Sequence, residues 1–419
     1  PLNGLSRPPC AAVIVAGMNP TSRRTLLFGL PATAMGPGSS PALKAAPGAG
    51  KLKIKTFVIH KATVRWRELL FLEIHTDGGL VGIGEGSLWK GVDLVEESIR
   101  WLEPHLVGRD PAGTEEHWNR MYYGLTRWRG GPRFMTAVSA VDIALHDLEG
   151  KRLGVPVWRL LGGPLHKEVR AYHSHWDVAV RAETPAEFAE QAAATKQKGW
   201  TALKFSVPAA KDEEERCEQT AAKLAAVRKA AGSKFDVCLE LWESLTIRSA
   251  LRFAQAVAPY RPMFIEEPIQ RENPLAFREL AAKSPVPIAT GEGMLSRFEF
   301  RPLLEAQGAL IIQPDVLHCG GITELRKIAN FAETFGVEVA PHQSCGPIGH
   351  VASMATMSVC RNFLIHEWEA EDDQLFQELT NGTYPVQKNG YVPLPQGPGL
   401  GIEVDFEQLK KRFPYRSKA

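Results

Sequence analysis

Cysteine is scarce in this 419-residue sequence, and its six cysteines show no Cys-x-x-Cys pair or other regular spacing. We therefore expect neither a zinc site nor a disulfide framework. Long apolar runs are also lacking, because no stretch reaches the roughly 18 apolar residues of a membrane span. Net charge is nearly absent, since 49 Lys and Arg residues oppose 47 Asp and Glu residues. The small net charge argues against nucleic acid as a partner, and the lack of long apolar runs argues against a membrane.

Residues 1–50 differ in composition from the rest of the chain. They contain no acidic residue and are rich in Gly and Pro, which is typical of a flexible leader. Within it, residues 21–28 around Arg23 and Arg24 resemble a twin-arginine export signal. Gly and Pro interrupt the short apolar run that follows, so an export signal and a plain unstructured extension both stay open. The choice between periplasm and cytoplasm stays open with them.

Residues 51–167 are predicted to form an α+β domain. Three segments have the composition of strands, with a turn at Asp77-Gly78-Gly79 between the last two: 53–59, 69–74 and 80–85. Helical periodicity then covers three segments: 95–106, 115–125 and 137–151.

Residues 168–385 show short apolar strands that alternate with helical stretches. The predicted strands are residues 169–173, 202–207, 235–241, 263–266, 287–290, 309–313, 337–341 and 362–366. Eight strands with intervening helices over about 200 residues indicate a parallel TIM-type barrel rather than an open sheet. The predicted fold class is therefore α/β, and residues 386–419 are expected to return to the first domain.

Functional groups of such a barrel lie where its strands end, at the C-terminal face. The ionisable residues at the predicted strand ends are Lys204, Glu240, Glu266, Glu292, Asp315, His342 and Glu367. From Glu240 onward, neighbours in this series are 23 to 27 residues apart, close to the roughly 30 residues of one βα unit. We therefore expect these side chains to converge on one mouth.

Three glutamates in this series point to a metal. Glu240, Glu266 and Glu292 would repel one another and raise each other's pKa unless a cation lay between them. Hard oxygen ligands at a site open to substrate suit Mg²⁺. Pairing with a nearby Lys or Arg, or capping of the next helix, explains a single glutamate more readily than three at matched strand ends. The sequence therefore predicts a Mg²⁺ site.

His342 and Asp315 end neighbouring strands. A carboxylate at Asp315 can hold one ring nitrogen of His342, fix its tautomer and raise its basicity. Next to a divalent ion that holds a substrate carboxylate, such a histidine can remove the α-proton and form an enediolate. A purely structural histidine is the alternative for His342.

Six segments carry a resemblance to a known family. From residue 51 to its C-terminus the chain resembles the enolase superfamily, in its mandelate racemase/muconate-lactonizing branch, and most of all the galactonate dehydratase-type sugar-acid dehydratases. The matching segments are Arg129-Gly130-Gly131-Pro132, the run from Ala140 to Asp147 (AVDIALHD), Phe264-Ile265-Glu266-Glu267-Pro268, Ala289-Thr290-Gly291-Glu292, Gln313-Pro314-Asp315 with Gly320-Gly321, and Ala340-Pro341-His342.

The resemblance implies a role for each strand-end residue. It makes Glu240, Glu266 and Glu292 the Mg²⁺ ligands, Asp315 and His342 the catalytic dyad, and Glu367 the group that hydrogen-bonds the substrate carboxylate. It also implies that the first domain caps the barrel, where its loops select the substrate.

Three weaker candidates for substrate binding remain. Lys204 either polarises the substrate carboxylate or forms an ion pair with a glutamate. His173, like the nearby His175, either contacts substrate or is a structural histidine at the barrel rim. Trp242 either forms a wall of the pocket or packs at the barrel mouth.

Two positions depart from the family patterns. Members that racemise with two bases carry Lys-x-Lys on the second strand, whereas this chain has Lys204-Phe205-Ser206, and a serine is not a useful base at neutral pH. Galactonate dehydratases carry an acid histidine two residues after the first metal ligand, where this chain has Trp242. A similar tryptophan occurs in the rhamnonate dehydratase group, in which the His–Asp dyad is taken to act as base and then as acid.

These observations predict a Mg²⁺-dependent dehydratase of an aldonic acid, which gives a 2-keto-3-deoxy acid. An epimerase or racemase of a hydroxy acid or an amino-acid derivative is the rival enzyme, and a non-catalytic barrel that binds sugar acids is the rival from another class. The expected partners are a small sugar acid and further copies of the same chain, in a homo-oligomer.

Overall fold

The computed structural model describes residues 52–177, 181–208 and 212–417. The predicted leader and its arginine pair lie outside these residues. Within these ranges, no helix is both long and apolar enough to cross a lipid bilayer.

The N-terminal part of the fold is a three-stranded antiparallel sheet covered by helices. Its strands are β1 (Ile54–Val64), β2 (Arg67–Thr76) and β3 (Val81–Glu85). The helices are α1 (Val92–Leu106), α2 (Thr114–Asn119) with a π-helical turn at Arg120–Gly124, α3 (Pro132–Leu153) and α4 (Val157–Leu160). Helix α3 approaches β3 so closely that a Cβ on Gly82 or Gly84 would lie within 2.2 Å of a carbonyl oxygen of α3, so only glycine fits there.

The C-terminal part is a barrel of parallel strands that alternate with helices. It runs β4 (Glu168–His173), α5 (Pro185–Gln197), β5 (Ala202–Ser206), α6 (Glu213–Ala231), β6 (Asp236–Glu240), α7 (Ile247–Val257), β7 (Phe264–Glu266), α8 (Pro274–Lys283), β8 (Ile288–Thr290), α9 (Arg297–Glu305), β9 (Ile311–Ile312), α10 (Gly321–Glu333), β10 (Glu338–Val339), α11 (Pro347–Met357) and β11 (His366–Trp368). The predicted α/β fold class, with its eight barrel strands, is confirmed.

The barrel closes through its last strand. Strands β4 to β10 pair in chain order, and β11 pairs with β4. On the other side, the Val339 backbone donates to Asn362 O and accepts from Leu364 N. The paired part of the last strand therefore extends beyond the predicted residues 362–366, and Glu367 lies inside β11 rather than after it.

One ring of buried side chains fills the barrel beneath its mouth. Each of the eight strand segments contributes one member: Tyr172, Ala202, Cys238, Phe264, Ala289, Ile311, Ala340 and Ile365. Because neighbouring side chains on a strand alternate between its two faces, this ring fixes which residues at the strand ends face the mouth and which face the surrounding helices.

Two carboxylates of α3, within the Ala140 to Asp147 motif, accept hydrogen bonds from backbone N–H groups outside that helix. Asp142 accepts from the backbone N–H of Thr323 near the start of α10, at 3.0 Å. Asp147 accepts from the N–H groups of Ile83 and Leu400 at 2.9 and 2.7 Å. Buried charge-assisted hydrogen bonds of this kind are stronger than neutral ones.

In the part of the chain that the structure describes, a 3-10 turn at Ala370–Asp372 follows the barrel. After it come α12 (Asp373–Leu379), β12 (Tyr391–Pro393) and α13 (Phe406–Arg412). Strand β12 pairs antiparallel with β4. In α13, the Phe406 ring stacks on His60 of β1, with ring centroids 4.2 Å apart.

Candidate active site

Three glutamates meet at the barrel mouth. Glu240 and Glu266 are the last residues of β6 and β7, and Glu292 follows β8 by two residues. Each offers one carboxylate oxygen, and these oxygens lie within 4.8 Å of one another. Glu240 and Glu266 are buried, whereas Glu292 is partly exposed. The predicted ligand set is therefore assembled with one open side.

Lys204 lies beside these glutamates, buried in the middle of β5. Its Nζ is 2.9 and 2.7 Å from the two carboxylate oxygens of Glu266 and 2.9 Å from Oε1 of Glu367. Burial opposes the charge of the ammonium group, but Glu266 and Glu367 raise the pKa of Lys204 well above its ordinary value. The structure therefore shows the ion pair between Lys204 and a glutamate, while its contact with a substrate carboxylate stays a prediction.

The acidic cluster lacks enough positive charge. Burial and the negative charge of Glu266 raise the pKa of Glu240 well above its ordinary value. Burial also raises the pKa of Glu292, against the opposing effect of His342. One ammonium group cannot neutralise three converging carboxylates, so the donor set suits a divalent cation with oxygen ligands.

His342 and Asp315 form the predicted pair. His342 Nδ1 lies 2.7 Å from Oδ2 of Asp315, and the backbone N–H of Leu317 donates to Oδ1 of the same carboxylate at 2.6 Å. His342 Nε2 is 3.5 Å from Oε2 of Glu292. Burial disfavours the charged ring, but Glu292, Glu367 and Asp315 raise the pKa of His342 well above its ordinary value. The ring therefore has one nitrogen held by Asp315 and the other turned to the glutamates.

Glu367 completes the polar floor of the mouth. Its carboxylate accepts from Ser174 Oγ at 2.6 Å and from the backbone N–H of Gln343 at 2.9 Å. Burial raises its pKa, but Lys204 and His342 outweigh burial and lower the pKa of Glu367 well below its ordinary value. Glu367 is therefore a buried, ionised acceptor within 3.8 Å of His342 Nε2.

Trp242 acts on Glu240 through its backbone. Its N–H donates to Oε1 of Glu240 at 2.7 Å, while its side chain is 53% exposed. Trp242, Glu243 and Glu267 all have left-handed backbone conformations, with φ between 40° and 54°. Such conformations are rare for residues other than glycine and concentrate at functional sites. The indole stays a candidate wall of the mouth.

The structure does not support a substrate contact at His173. Tyr172 belongs to the ring inside the barrel, so His173 faces the surrounding elements. Its ring stacks on Trp200 with centroids 5.4 Å apart, and Nδ1 lies 3.3 Å from Oγ1 of Thr195 in α5. The strand phase favours the structural alternative for His173, because the next residue, Ser174, is the one that reaches the mouth.

The sequence analysis did not predict Ser174 as a residue of the barrel mouth, and it named His175 only as a neighbour of His173. Ser174 Oγ bonds Glu367, and His175 Nδ1 lies 3.0 Å from that same hydroxyl. The only signal in the sequence was a polar run after a predicted strand. Which members of that run face the mouth depends on the left-handed turn at His175, where φ is 55°.

Family models match both parts of the chain. Residues 49–162 match the mandelate racemase / muconate lactonizing enzyme N-terminal domain, and residues 187–409 match the enolase C-terminal domain-like family. The chain belongs to the mandelate racemase/muconate lactonizing enzyme family of the enolase superfamily. The family membership predicted from sequence motifs is therefore confirmed.

Similar proteins of this family cover most of the chain. D-galactonate dehydratase of Cronobacter sakazakii is 35% identical over 369 residues, which cover 86% of this chain and 94% of that protein. The enzyme of the same name from Klebsiella pneumoniae is 34% identical and covers 87% of this chain and 96% of its own length. The predicted likeness to galactonate dehydratase-type hydro-lyases is confirmed.

Solved structures of this superfamily are also similar to most of the chain. A mandelate racemase/muconate lactonizing enzyme from Jannaschia sp. CCS1 is 31% identical, with a TM-score of 0.79 over 88% of this chain and 99% of that one. An enolase superfamily member from Salmonella Typhimurium is 28% identical, with a TM-score of 0.78 over 87% of this chain and 98% of that one.

Proposed function

We propose that this protein is a Mg²⁺-dependent dehydratase that converts an aldonic acid to a 2-keto-3-deoxy acid. The observation that carries the proposal is the position of His342 Nε2, 3.5 Å from Glu292 in the glutamate cluster, while Asp315 holds the other ring nitrogen. A base beside a cation site is suited to removing a proton α to a carboxylate. The similarity to D-galactonate dehydratases supports this reaction class.

Glu240, Glu266 and Glu292 would hold the metal. Their oxygens lie within 4.8 Å of one another. Burial and the negative charge of Glu266 raise the pKa of Glu240, and a cation would balance that negative charge. When bound, Mg²⁺ supplies positive charge opposite the negative charge that develops on the substrate carboxylate.

The chain's own residues account for the proton transfers. With a cation balancing the charge of the glutamates, His342 would be neutral and would take the α-proton at Nε2, and Asp315 would stabilise the resulting imidazolium through Nδ1. The imidazolium then returns the proton to the departing 3-hydroxyl, which leaves as water while a C2–C3 double bond forms. The enol product then becomes the 2-keto acid. Both transfers occur on the His342 face, so the elimination is syn.

Other residues would bind the substrate and restrict the reaction. Lys204 carries positive charge beside Glu266 and Glu367, where it would attract a substrate carboxylate. Trp242 replaces the acid histidine of galactonate dehydratases, so galactonate itself is not the proposed substrate. Racemisation is not favoured, because a second base opposite His342 is needed and Ser206 occupies that strand position.

The test is a screen of acid sugars with purified protein and Mg²⁺, read as formation of a 2-keto-3-deoxy acid. We expect turnover of at least one aldonic acid, together with exchange of its α-proton in D₂O. Exchange without keto-acid formation would favour an epimerase. Binding without exchange or turnover would favour a non-catalytic sugar-acid-binding protein, and both results would contradict the proposal.

A further inference from the structure

His175 lies at the barrel mouth and has a left-handed backbone conformation. It follows β4 with φ 55°, a region that histidine enters more readily than most residues but that is uncommon without glycine. Its side chain is 22% exposed. The charges that act on its ring include Glu367, Lys204 and His342, so the ring belongs to the mouth of the candidate active site.

Hydrogen bonds determine which ring nitrogen of His175 carries the proton. Ser174 has one hydroxyl proton, which it donates to the ionised carboxylate of Glu367 at 2.6 Å. Toward His175 Nδ1, 3.0 Å away, Ser174 Oγ can then only accept. His175 therefore carries its proton on Nδ1. The Glu369 carboxylate, 3.0 Å from the same nitrogen, favours that arrangement.

The tautomer leaves Nε2 of His175 as a hydrogen-bond acceptor. Among the described residues, no hydrogen-bond partner of Nε2 is present. Burial lowers the pKa of His175 to about 3, so the ring is neutral at neutral pH and Nε2 keeps its lone pair. A neutral ring cannot serve as a general acid there, but it can accept from a hydroxyl group.

The capping domain supports this ring from the other side. Trp66, in the turn between β1 and β2, has its ring centroid 6.0 Å from that of His175. The Arg67 guanidinium lies 4.8 Å above the Trp66 ring and forms buried ion pairs with Glu369 and Asp372 of the barrel. The turn and the His175 ring are thus held against the same barrel segment.

We propose that His175 is a specificity-determining residue that accepts a hydrogen bond through Nε2 from a chain hydroxyl of the substrate, beyond the reacting C2 and C3. This rests on the proposed function, because an aldonic acid supplies such hydroxyls. An acceptor without a proton selects a hydroxyl over a hydrogen or an alkyl group at that position of the substrate. Loss of a hydrogen bond to a substrate hydroxyl leaves the acceptor of the site unpaired.

Two substitutions distinguish the contributions of the two ring nitrogens of His175. His175→Asn tolerates the left-handed backbone and keeps a donor near the Nδ1 position, but it has no atom at Nε2. His175→Gln places a polar group near the Nε2 position instead. Both are compared with the wild type for binding of the aldonic acid to Mg²⁺-loaded protein by calorimetry, and for kcat and KM. The acid and its chain-deoxy analogues are used in parallel.

We expect His175→Asn to weaken binding of the full aldonic acid by about 10–100-fold, and His175→Gln to recover most of that loss. For one chain-deoxy analogue, wild type and His175→Asn should bind within about 2-fold, since the hydrogen bond is then absent from both. An equal loss for acid and analogues would overturn the proposal, as would no loss at all. If His175→Asn does not fold, the wild type and His175→Gln are compared instead. The proposal is supported if both bind the full acid more tightly than its chain-deoxy analogues. It is overturned if they do not.

These outcomes separate the two proposals. If the wild type binds an aldonic acid but does not dehydrate it, the proposed dehydratase function fails, and the calorimetric comparison still decides the role of His175. If the wild type dehydrates the acid and the deoxy analogues equally well, the dehydratase stands and the role of His175 fails. If no polyhydroxy acid binds, both proposals fail.

Discussion

His342 Nδ1 lies 2.7 Å from Oδ2 of Asp315, while the other oxygen of that carboxylate accepts the Leu317 N–H at 2.6 Å. Both oxygens of Asp315 are therefore committed before any substrate arrives. The carboxylate fixes a proton on Nδ1 and leaves Nε2 as the basic nitrogen. This arrangement determines how a substitution at Asp315 should behave.

Asp315→Asn should reduce kcat by about 100-fold or more. The Leu317 N–H will hold the amide oxygen, so the amide NH₂ will face His342 and force the proton from Nδ1 to Nε2. The basic nitrogen is then blocked while the fold is kept. The measurements are kcat with the best acid sugar and α-proton exchange in D₂O. Activity within about 3-fold of the wild type would contradict the assigned tautomer.

Glu266→Gln should weaken Mg²⁺ binding by about 100-fold or more and abolish turnover, because it removes one of three anionic ligands. The matched control is Glu267→Gln. Burial and the charge of Glu292 raise the pKa of Glu267 to about 9, so its carboxyl is protonated at neutral pH and a neutral amide resembles it closely. Calorimetric titration with Mg²⁺ distinguishes the two variants. Equal metal affinity in both would contradict the ligand assignment.

His342→Asn should stop α-proton exchange and dehydration together, because one residue handles both protons in the proposed syn elimination. Trp242→Phe should keep exchange and lose at most substrate fit, since the backbone N–H that holds Glu240 is unchanged. Exchange is followed by NMR in D₂O, and keto acid by a colorimetric assay. Loss of dehydration with intact exchange in Trp242→Phe would assign acid chemistry to position 242.

Two buried histidines, His350 and His366, should each make a contribution to stability that is lost as the pH is lowered. Burial lowers the pKa of His350 to about 3 and that of His366 to about 4, from an ordinary value of 6.5. Below about pH 6.5 the unfolded chain takes up protons that the folded protein refuses. The contribution of each histidine to the free energy of unfolding therefore decreases between about pH 6.5 and its pKa in the folded protein, by about 1.4 kcal/mol per pH unit.

Urea unfolding at several pH values between 7.5 and 5 measures the slope of the free energy of unfolding against pH. His350→Gln should reduce it by about 1.4 kcal/mol per pH unit, whatever the variant's stability at pH 7.5. An unaltered slope in His350→Gln would show that this histidine is protonated equally in both states.

The strand-end residues could be predicted from the sequence because their chemistry and spacing follow the chain. Each βα unit returns a strand to the same face of the barrel, so Glu240, Glu266 and Glu292 had to meet wherever their strands ended. The same argument brought His342 beside Asp315. The residue types, their spacing and the rule that functional groups lie at the C-terminal face of a barrel were enough for this prediction.

Only the tertiary structure decided what depends on strand phase and on the contact between domains. His173 and Ser174 are neighbours in sequence, yet one packs on Trp200 and the other bonds Glu367, because side chains alternate and the backbone turns left-handed at His175. Lys204 was ambiguous until its three carboxylate partners were placed around it. Trp66 and Arg67 reach His175 and Glu369 across more than 100 residues of chain. No local pattern records such contacts, because they depend on how one folded domain lies on the other.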